Sequence, residues 1–231
     1  MARLAVGVAA KEVCRLEEMR YDRISAQRRR DAIALGQIGG PMRKLILRIS
    51  VSIDGFMESS DGKLDFGRSR SPEGAAWMGE KMGQAGAHLM GRKAFCEMAS
   101  YWPNARGVLA KPMNEIPKIV FSKKGFDPAQ VSSAKSWAEA KVITGDLVEG
   151  ITALKNQTGK DLIAHGGIEF AQNLVQTGLI DEFWIAMHPV AAGSGFSLFE
   201  KLCKPLYLKL IDTKVFSTGA MVHVYQPENP L

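Results

Sequence analysis

From residue 45 onward the chain alternates between short apolar runs of strand type and segments whose apolar residues recur at helical spacing. Such alternation favours a largely parallel sheet with crossover helices on its faces. Residues 45–53 are the first apolar run, and turns follow at Asp54-Gly55 and Asp61-Gly62. Residues 71–84 read as a helix, with Ser71 in the N-cap position and Pro72-Glu73 in the first turn. A strand at 87–90 leads into a helix at 91–101 that carries Ala94, Phe95 and Met98 on one side. Strands at 118–122 and 141–144 come next, and Asp146 opens a helix with Leu147, Ile151 and Leu154 on one face. A buried-type strand at 161–164 precedes a helix in which Ile168, Ala171, Leu174 and Val175 are helically spaced. A strand at 181–190 and a hairpin of 207–215 with 220–225 complete the pattern. The expected fold class is α/β: three layers, α/β/α, around a mixed, mostly parallel sheet that ends in an antiparallel hairpin.

The first 42 residues differ from the rest. Residues 9–35 form a highly charged stretch with a ragged apolar stripe, and Gly39-Gly40-Pro41 breaks it. The simplest parse is a charged appendage, or a start upstream of the native one, over 1–42 and a single domain over 43–231. The net charge is +6, but the one dense basic cluster, Arg28-Arg29-Arg30, runs straight into Asp31 and reads as a solvated helix face. A nucleic-acid partner is therefore not expected. No stretch approaches the ~18–20 unbroken apolar residues of a membrane helix. Cys14, Cys96 and Cys203 are far apart and form no CxxC, so reduced thiols and a cytoplasmic location are expected. No spacing of His, Cys and Asp suits a metal, and no Gly-x-Ser-x-Gly nucleophile turn exists.

Two places have a strand that runs into glycine and then a helix: His88-Leu89-Met90-Gly91-Arg92-Lys93 and Leu162-Ile163-Ala164-His165-Gly166-Gly167-Ile168-Glu169. A helix start presents free backbone N–H groups and a partial positive charge, and glycine lets a phosphate come close. Arg92 and Lys93 add cations at the first place, and Ser122-Lys123-Lys124 adds a hydroxyl and more cations at the next strand end. Together they suggest a dinucleotide with an additional phosphate on its adenosine end.

The same residues carry a family resemblance. Met90-Gly91-Arg92-Lys93-Ala94-Phe95 resembles the Gly-Arg-x-Thr-Tyr/Phe segment of dihydrofolate reductase-like folds. Ser50-Val51-Ser52-Ile53-Asp54-Gly55 resembles the first strand of the riboflavin-pathway reductase domain, the C-terminal domain of the bacterial bifunctional deaminase-reductase. His165-Gly166-Gly167, Gly178-Leu179-Ile180-Asp181-Glu182, His188-Pro189-Val190 and Gly193-Ser194-Gly195 are similar to its late segment, and the likeness spans roughly 43–227. The resemblance implies an NADPH-dependent reductase, commonly a homodimer, acting on a small heterocyclic or carbonyl substrate. It places Arg92 and Lys93 at the 2′-phosphate of NADPH with Ser122 and Lys123 assisting. It places Gly166, Gly167, Ile168 and Glu169 at the pyrophosphate, and Ser50 and Val51 beside the nicotinamide. Asp54 begins the loop over that ring, and either Asp54 or a bound water is the candidate proton donor.

Two departures bear on this. Ala94 stands where the family has Thr, and the 71–84 helix lacks the buried carboxylate of dihydrofolate reductases: its place falls near Ala75, with Glu73 on another face. Folate reduction is disfavoured accordingly. The rival reading is a non-catalytic dimeric ligand-binding or regulatory protein that kept the fold.

Overall fold

The computed structural model describes residues 42–228. In it β1 (Leu45–Ser52) runs through the middle of an eight-stranded sheet, in the order β5-β4-β3-β6-β1-β7-β10-β9. The parallel strands are β1, β3 (Ala87–Gly91), β4 (Lys118–Phe121), β5 (Lys141–Ile143), β6 (Leu162–Ala164) and β7 (Glu182–His188). β10 (Met221–Pro227) pairs antiparallel with β7, and β9 (Leu208–Val215) pairs antiparallel with β10 at the sheet's edge. The mixed, mostly parallel sheet with a terminal hairpin is as expected. The expected appendage lies, apart from Met42, outside the described residues.

The winding explains the two helical layers. From β1 the chain moves outward to β3, β4 and β5 through α1 (Pro72–Gly83), α2 (Arg92–Tyr101), α3 (Ala110–Glu115) and α4 (Lys135–Ala138). It then reverses: α5 (Leu147–Lys155) returns it to β6, between β3 and β1, and α6 (Ile168–Gln176) carries it past β1 to β7. Parallel crossovers keep one hand, so a change of direction along the sheet puts the helices on the other face. Leu45, Leu47, Ile49 and Val51 of β1 accordingly pack in one cluster with Ile151 and Leu154 of α5 and Phe170, Ala171 and Leu174 of α6. Ile46 faces the other way, in a cluster with Met78 and Met82 of α1, Phe95 of α2 and Trp137 of α4.

Local chemistry sets the helix ends. The Ser71 side chain accepts from the Gly74 amide at α1, and the Asp146 carboxylate accepts from the Val148 and Glu149 amides at α5. The sequence reading assigns no strand where β2 (Phe56–Ser59) and β8 (Gly195–Ser197) form a separate two-stranded sheet. Strands of four and three residues are too short to show alternation, and their partners are remote in sequence. No helix among the described residues is long and apolar enough to cross a membrane. Cys96 is a free thiol, whereas Cys203 is disulfide-bonded, which corrects the expectation of reduced thiols at that position.

One polar element lies inside this core. His88 is fully buried on β3 and His165, just beyond β6, is 8% exposed. His88 Nε2 donates to the Pro112 carbonyl at 3.1 Å, so its Nδ1 is the bare nitrogen that accepts from His165 Nε2 at 2.8 Å. Burial disfavours the charged form of both, so the pair is neutral near pH 7. Burial pushes His88 down to about 4, and burial, then repulsion from His88 whenever it is protonated and from the cations Arg48 and Lys118, holds His165 well below the ordinary range.

The pH dependence of stability follows from the sign of these shifts. Below about pH 6.5 the unfolded chain takes up protons that the folded chain refuses, so stability falls as pH drops from about 6.5 towards about 4. The slope is at most ~1.4 kcal/mol per pH unit for each imidazole. Urea unfolding at pH 7.5, 6, 5 and 4.5 measures it. A His165→Gln variant should lose stability less steeply over that window than wild type; an equal slope would show that the pair does not titrate as drawn.

Candidate functional site

The insertion of β6 between β3 and β1 sets two strand-to-helix junctions side by side. The Gly91 amide, at the end of β3, donates to the Gly166 carbonyl at 3.3 Å. Gly91 passes so close to α6 that a Cβ on it would lie 3.0 Å from the Phe170 Cβ. Gly166 has φ +89°, a region that favours glycine, and is joined to Gly167 by a cis peptide bond. Gly91 is the N-cap of α2 and Gly167 that of α6, and neither helix start has a side-chain cap. Their first N–H groups therefore have no partner from a cap, and both helix dipoles turn their positive ends to one place.

That place is a cleft of about 1020 Å³. Of the residues singled out in the sequence, Arg92, Lys93, Ser122, Lys123, Gly167, Ile168 and Glu169 line it. A Cβ on Gly167 would meet nothing closer than the Ala94 Cβ, at 3.8 Å. The protein's own packing thus does not require glycine at 167; the free space belongs to the cleft, where a ligand can come up to the backbone. Arg92 lies over the Phe126 ring at 5.1 Å, which leaves its charge free of any ion pair among the described residues. Lys93 is 4.0 Å from Glu97, an exposed pair one helical turn apart that contributes little. Ser122 and Lys123 occupy a tight turn closed by the Gly125 amide on the Ser122 carbonyl at 3.1 Å, with Gly125 at φ +65°. Glu169 is in the first turn of α6, so the backbone there, rather than its carboxylate, is the anion-facing group.

The sequence reading does not identify the apolar wall of the cleft: Phe121, Ile143, Leu147 and Val148, at the ends of β4 and β5 and the start of α5. Its signal is a third strand-glycine-helix junction, Thr144-Gly145-Asp146. This junction differs in kind. The Asp146 carboxylate already accepts from the first amides of α5 at 2.8 and 3.1 Å, so that helix start has its anion built in.

The remaining residues lie elsewhere. Val51 is 5% exposed, with its side chain in the core on the α5–α6 side, so the expected place beside the nicotinamide falls to its main chain. Ser50 alternates to the opposite face and is half-buried. Asp54 holds the β1–β2 turn. Its carboxylate accepts from Ser52 Oγ at 2.5 Å, from the Ala192 amide at 3.0 Å and from the Gly193 amide at 2.7 Å. The Ser52 hydroxyl and then these two amides draw its pKa down to about 2. A carboxyl that acidic carries no proton to give near neutral pH, so this geometry makes Asp54 a clamp between two loops. On α1, Glu73 is exposed and 3.9 Å from Lys214, and the buried positions of that helix are Met78 and Met82, so no carboxylate enters the sheet from it.

Residues 43–224 match the profile of the RibD C-terminal domain. An uncharacterised protein of Bacillus subtilis (strain 168), YyaP, is 30% identical over 183 residues, which cover 79% of this chain and 94% of that one. Among solved structures, a Shewanella sp. PV-4 protein assigned to riboflavin biosynthesis is similar with a TM-score of 0.63 at 23% identity, over 80% of this chain and 99% of its own. A dihydrofolate reductase of Enterococcus faecalis, solved with NADP(H), shares the fold with a TM-score of 0.53 at 16% identity, over 80% of this chain and 97% of its own. The sheet, its reversed winding and the paired glycine junctions accompany a profile match over most of the chain: the protein belongs to the RibD C-terminal domain family.

Proposed function

We propose that the chain is an NADPH-dependent reductase that transfers a hydride to a small heterocyclic or carbonyl substrate, in the manner of the riboflavin-pathway reductase domains. The observation that carries this reading is the pair of uncapped helix starts, Gly91 and Gly167, opening with Arg92, Lys93 and Lys123 onto one cleft. NADPH, when bound, supplies the hydride; the protein supplies position and electrostatics. The start of α6 offers its amides to the pyrophosphate, with Gly167 giving the close approach. Arg92, Lys93 and Lys123 face the 2′-phosphate, and Ser122 adds a hydroxyl. The apolar wall of Phe121, Ile143, Leu147 and Val148 suits the adenine ring. Ser50 stands at the nicotinamide end on the substrate side of β1. With Asp54 held ionised, solvent water is the proton source. Ala94 takes the place of a phosphate-binding hydroxyl, and three cations together with two helix dipoles offset that loss.

This reading has a direct test in the choice of cofactor. Arg92→Ala removes one charged partner of the 2′-phosphate, an interaction worth ~1.5–3 kcal/mol, or roughly ten- to hundredfold in affinity. Titration followed by tryptophan fluorescence should show that loss for NADPH and almost none for NADH, which has no 2′-phosphate. Equal losses would make Arg92 structural. Binding of neither cofactor by the wild-type protein at millimolar concentration would favour the non-catalytic ligand-binding alternative.

The same reading includes a homodimer, and the edge strand β9 is its surface. Tyr207, Leu210, Ile211 and Val215 are 70, 50, 46 and 58% exposed on or beside a strand whose outer edge is unpaired among the described residues. An eight-residue edge strand that exposes Leu210, Ile211 and Val215 among its charged residues is a surface on which a second copy can pair. Light scattering should give twice the 25.2 kDa chain mass at micromolar concentration, and Leu210→Lys with Ile211→Lys should return it to the single-chain value. A single-chain mass for wild type would remove this element of the proposal.

A further inference from the structure

The cations of the dinucleotide cleft come from two separate elements, and one side chain joins them. Arg92 opens α2, whereas Ser122 and Lys123 belong to the turn after β4. Phe126 follows that turn, and the Arg92 guanidinium lies over its ring, 5.1 Å from the centroid. The same ring packs against Phe95 at 5.4 Å between centroids, and Phe95 packs against Trp137 at 5.6 Å. Phe95 and Trp137 are both fully buried. Arg92 and Phe95 are three residues apart on α2 and so share one side of that helix, where Phe126 meets them both.

The backbone on either side of this ring is fixed. Before it, the Gly125 amide closes the turn on the Ser122 carbonyl. After it, Asp127 caps the short helical turn Pro128–Gln130 by accepting from the Ala129 amide at 3.0 Å, and Pro128 is buried. The acidic neighbour of Phe126 is thus occupied with its own backbone. Arg92 itself is exposed, and the ion pairs of the described residues do not include it. A free arginine loses much rotamer entropy when it settles on a phosphate. A carboxylate partner would hold it in advance but would also neutralise it. A ring face attracts the cation and brings no opposing net charge, so the guanidinium is placed without being spent.

We propose that Phe126 is a positioning residue for cofactor choice: its ring holds Arg92 beside Ser122 and Lys123, where a 2′-phosphate is met, and so sets the preference for the phosphorylated dinucleotide. Phe126 is not among the residues that line the cleft, so it acts through Arg92 rather than on the ligand. The proposal rests on the reductase reading for the identity of the dinucleotide.

Calorimetric titration of NADPH, NADH, adenosine 2′,5′-bisphosphate and adenosine 5′-monophosphate into wild type, Phe126→Leu and Phe126→Tyr provides the test. Leucine keeps an apolar group against Phe95 but has no ring; tyrosine keeps the ring. Phe126→Leu should weaken NADPH and the bisphosphate by about two- to fivefold, the worth of an exposed cation–ring contact, and leave NADH and the monophosphate unchanged. Phe126→Tyr should keep the wild-type preference. In an Arg92→Ala background Phe126→Leu should cause no further loss of NADPH affinity, because the group the ring acts through is gone. Melting of each free protein reports packing separately, and Phe126→Met, also without a ring, replaces the leucine variant if that one does not fold. The proposal is overturned if Phe126→Leu leaves the NADPH preference unchanged or raises it, if it weakens NADH and NADPH alike, if tyrosine loses as much as leucine, or if the loss is as large without Arg92. A wild type that binds NADPH no better than NADH overturns the cofactor assignment and this proposal with it; every other adverse result falls on Phe126 alone.

Discussion

A strand of three residues organises this molecule. β6 pairs in parallel with β1 through Leu45, Ile46 and Leu47 on one side and with β3 through Ala87, His88 and Leu89 on the other. Because it is inserted there, the turn after β6 and the turn after β3 become neighbours. The Gly91 amide bonds the Gly166 carbonyl, and two helices begin within one cleft. Leu162, Ile163 and Ala164 are almost wholly buried, so the position of β6 is fixed by packing on both faces of the sheet. The buried His88–His165 pair crosses the same junction and ties the ends of β3 and β6 together below it.

Capping chemistry then separates helix ends satisfied by a side chain from ends left open. Asp146 satisfies the start of α5 and Ser71 that of α1, and such ends have little to offer a ligand. The starts of α2 and α6 follow glycine, which has no side chain to cap with, so their amides stay available to an outside anion. The carboxylate that could have acted as an acid, Asp54, is instead engaged by the amides of a distant loop. It connects the first turn of the sheet to residues 192 and 193, next to the small β2–β8 sheet whose Glu58 and Phe196 reach the rim of the cleft.

Much of this was legible along the chain. The strands and longer helices carry strong periodicity, Ser71 and Asp146 announce their helices, and the glycine junctions with Arg92, Lys93, Ser122 and Lys123 stand out as charge beside flexible backbone. The apolar wall of the cleft was not legible, because Phe121, Ile143, Leu147 and Val148 look like any core residues until the sheet sets them at its edge. Adjacent residues of a strand face opposite ways, so a motif that names both Ser50 and Val51 can offer a ligand the side chain of Ser50 but only the main chain of Val51.

The sequence by itself determined the elements and their ends, since periodicity, caps and glycine act within a few residues of one another. It determined the chemistry available at each junction as well. The tertiary structure alone decided which junctions meet. The reversal of winding after β5, the insertion of β6, and the pairing of Asp54 with amides 138 and 139 residues away depend on packing between segments remote in the chain. No local pattern records that packing, because the energy that selects it comes from burying both faces of the sheet at once.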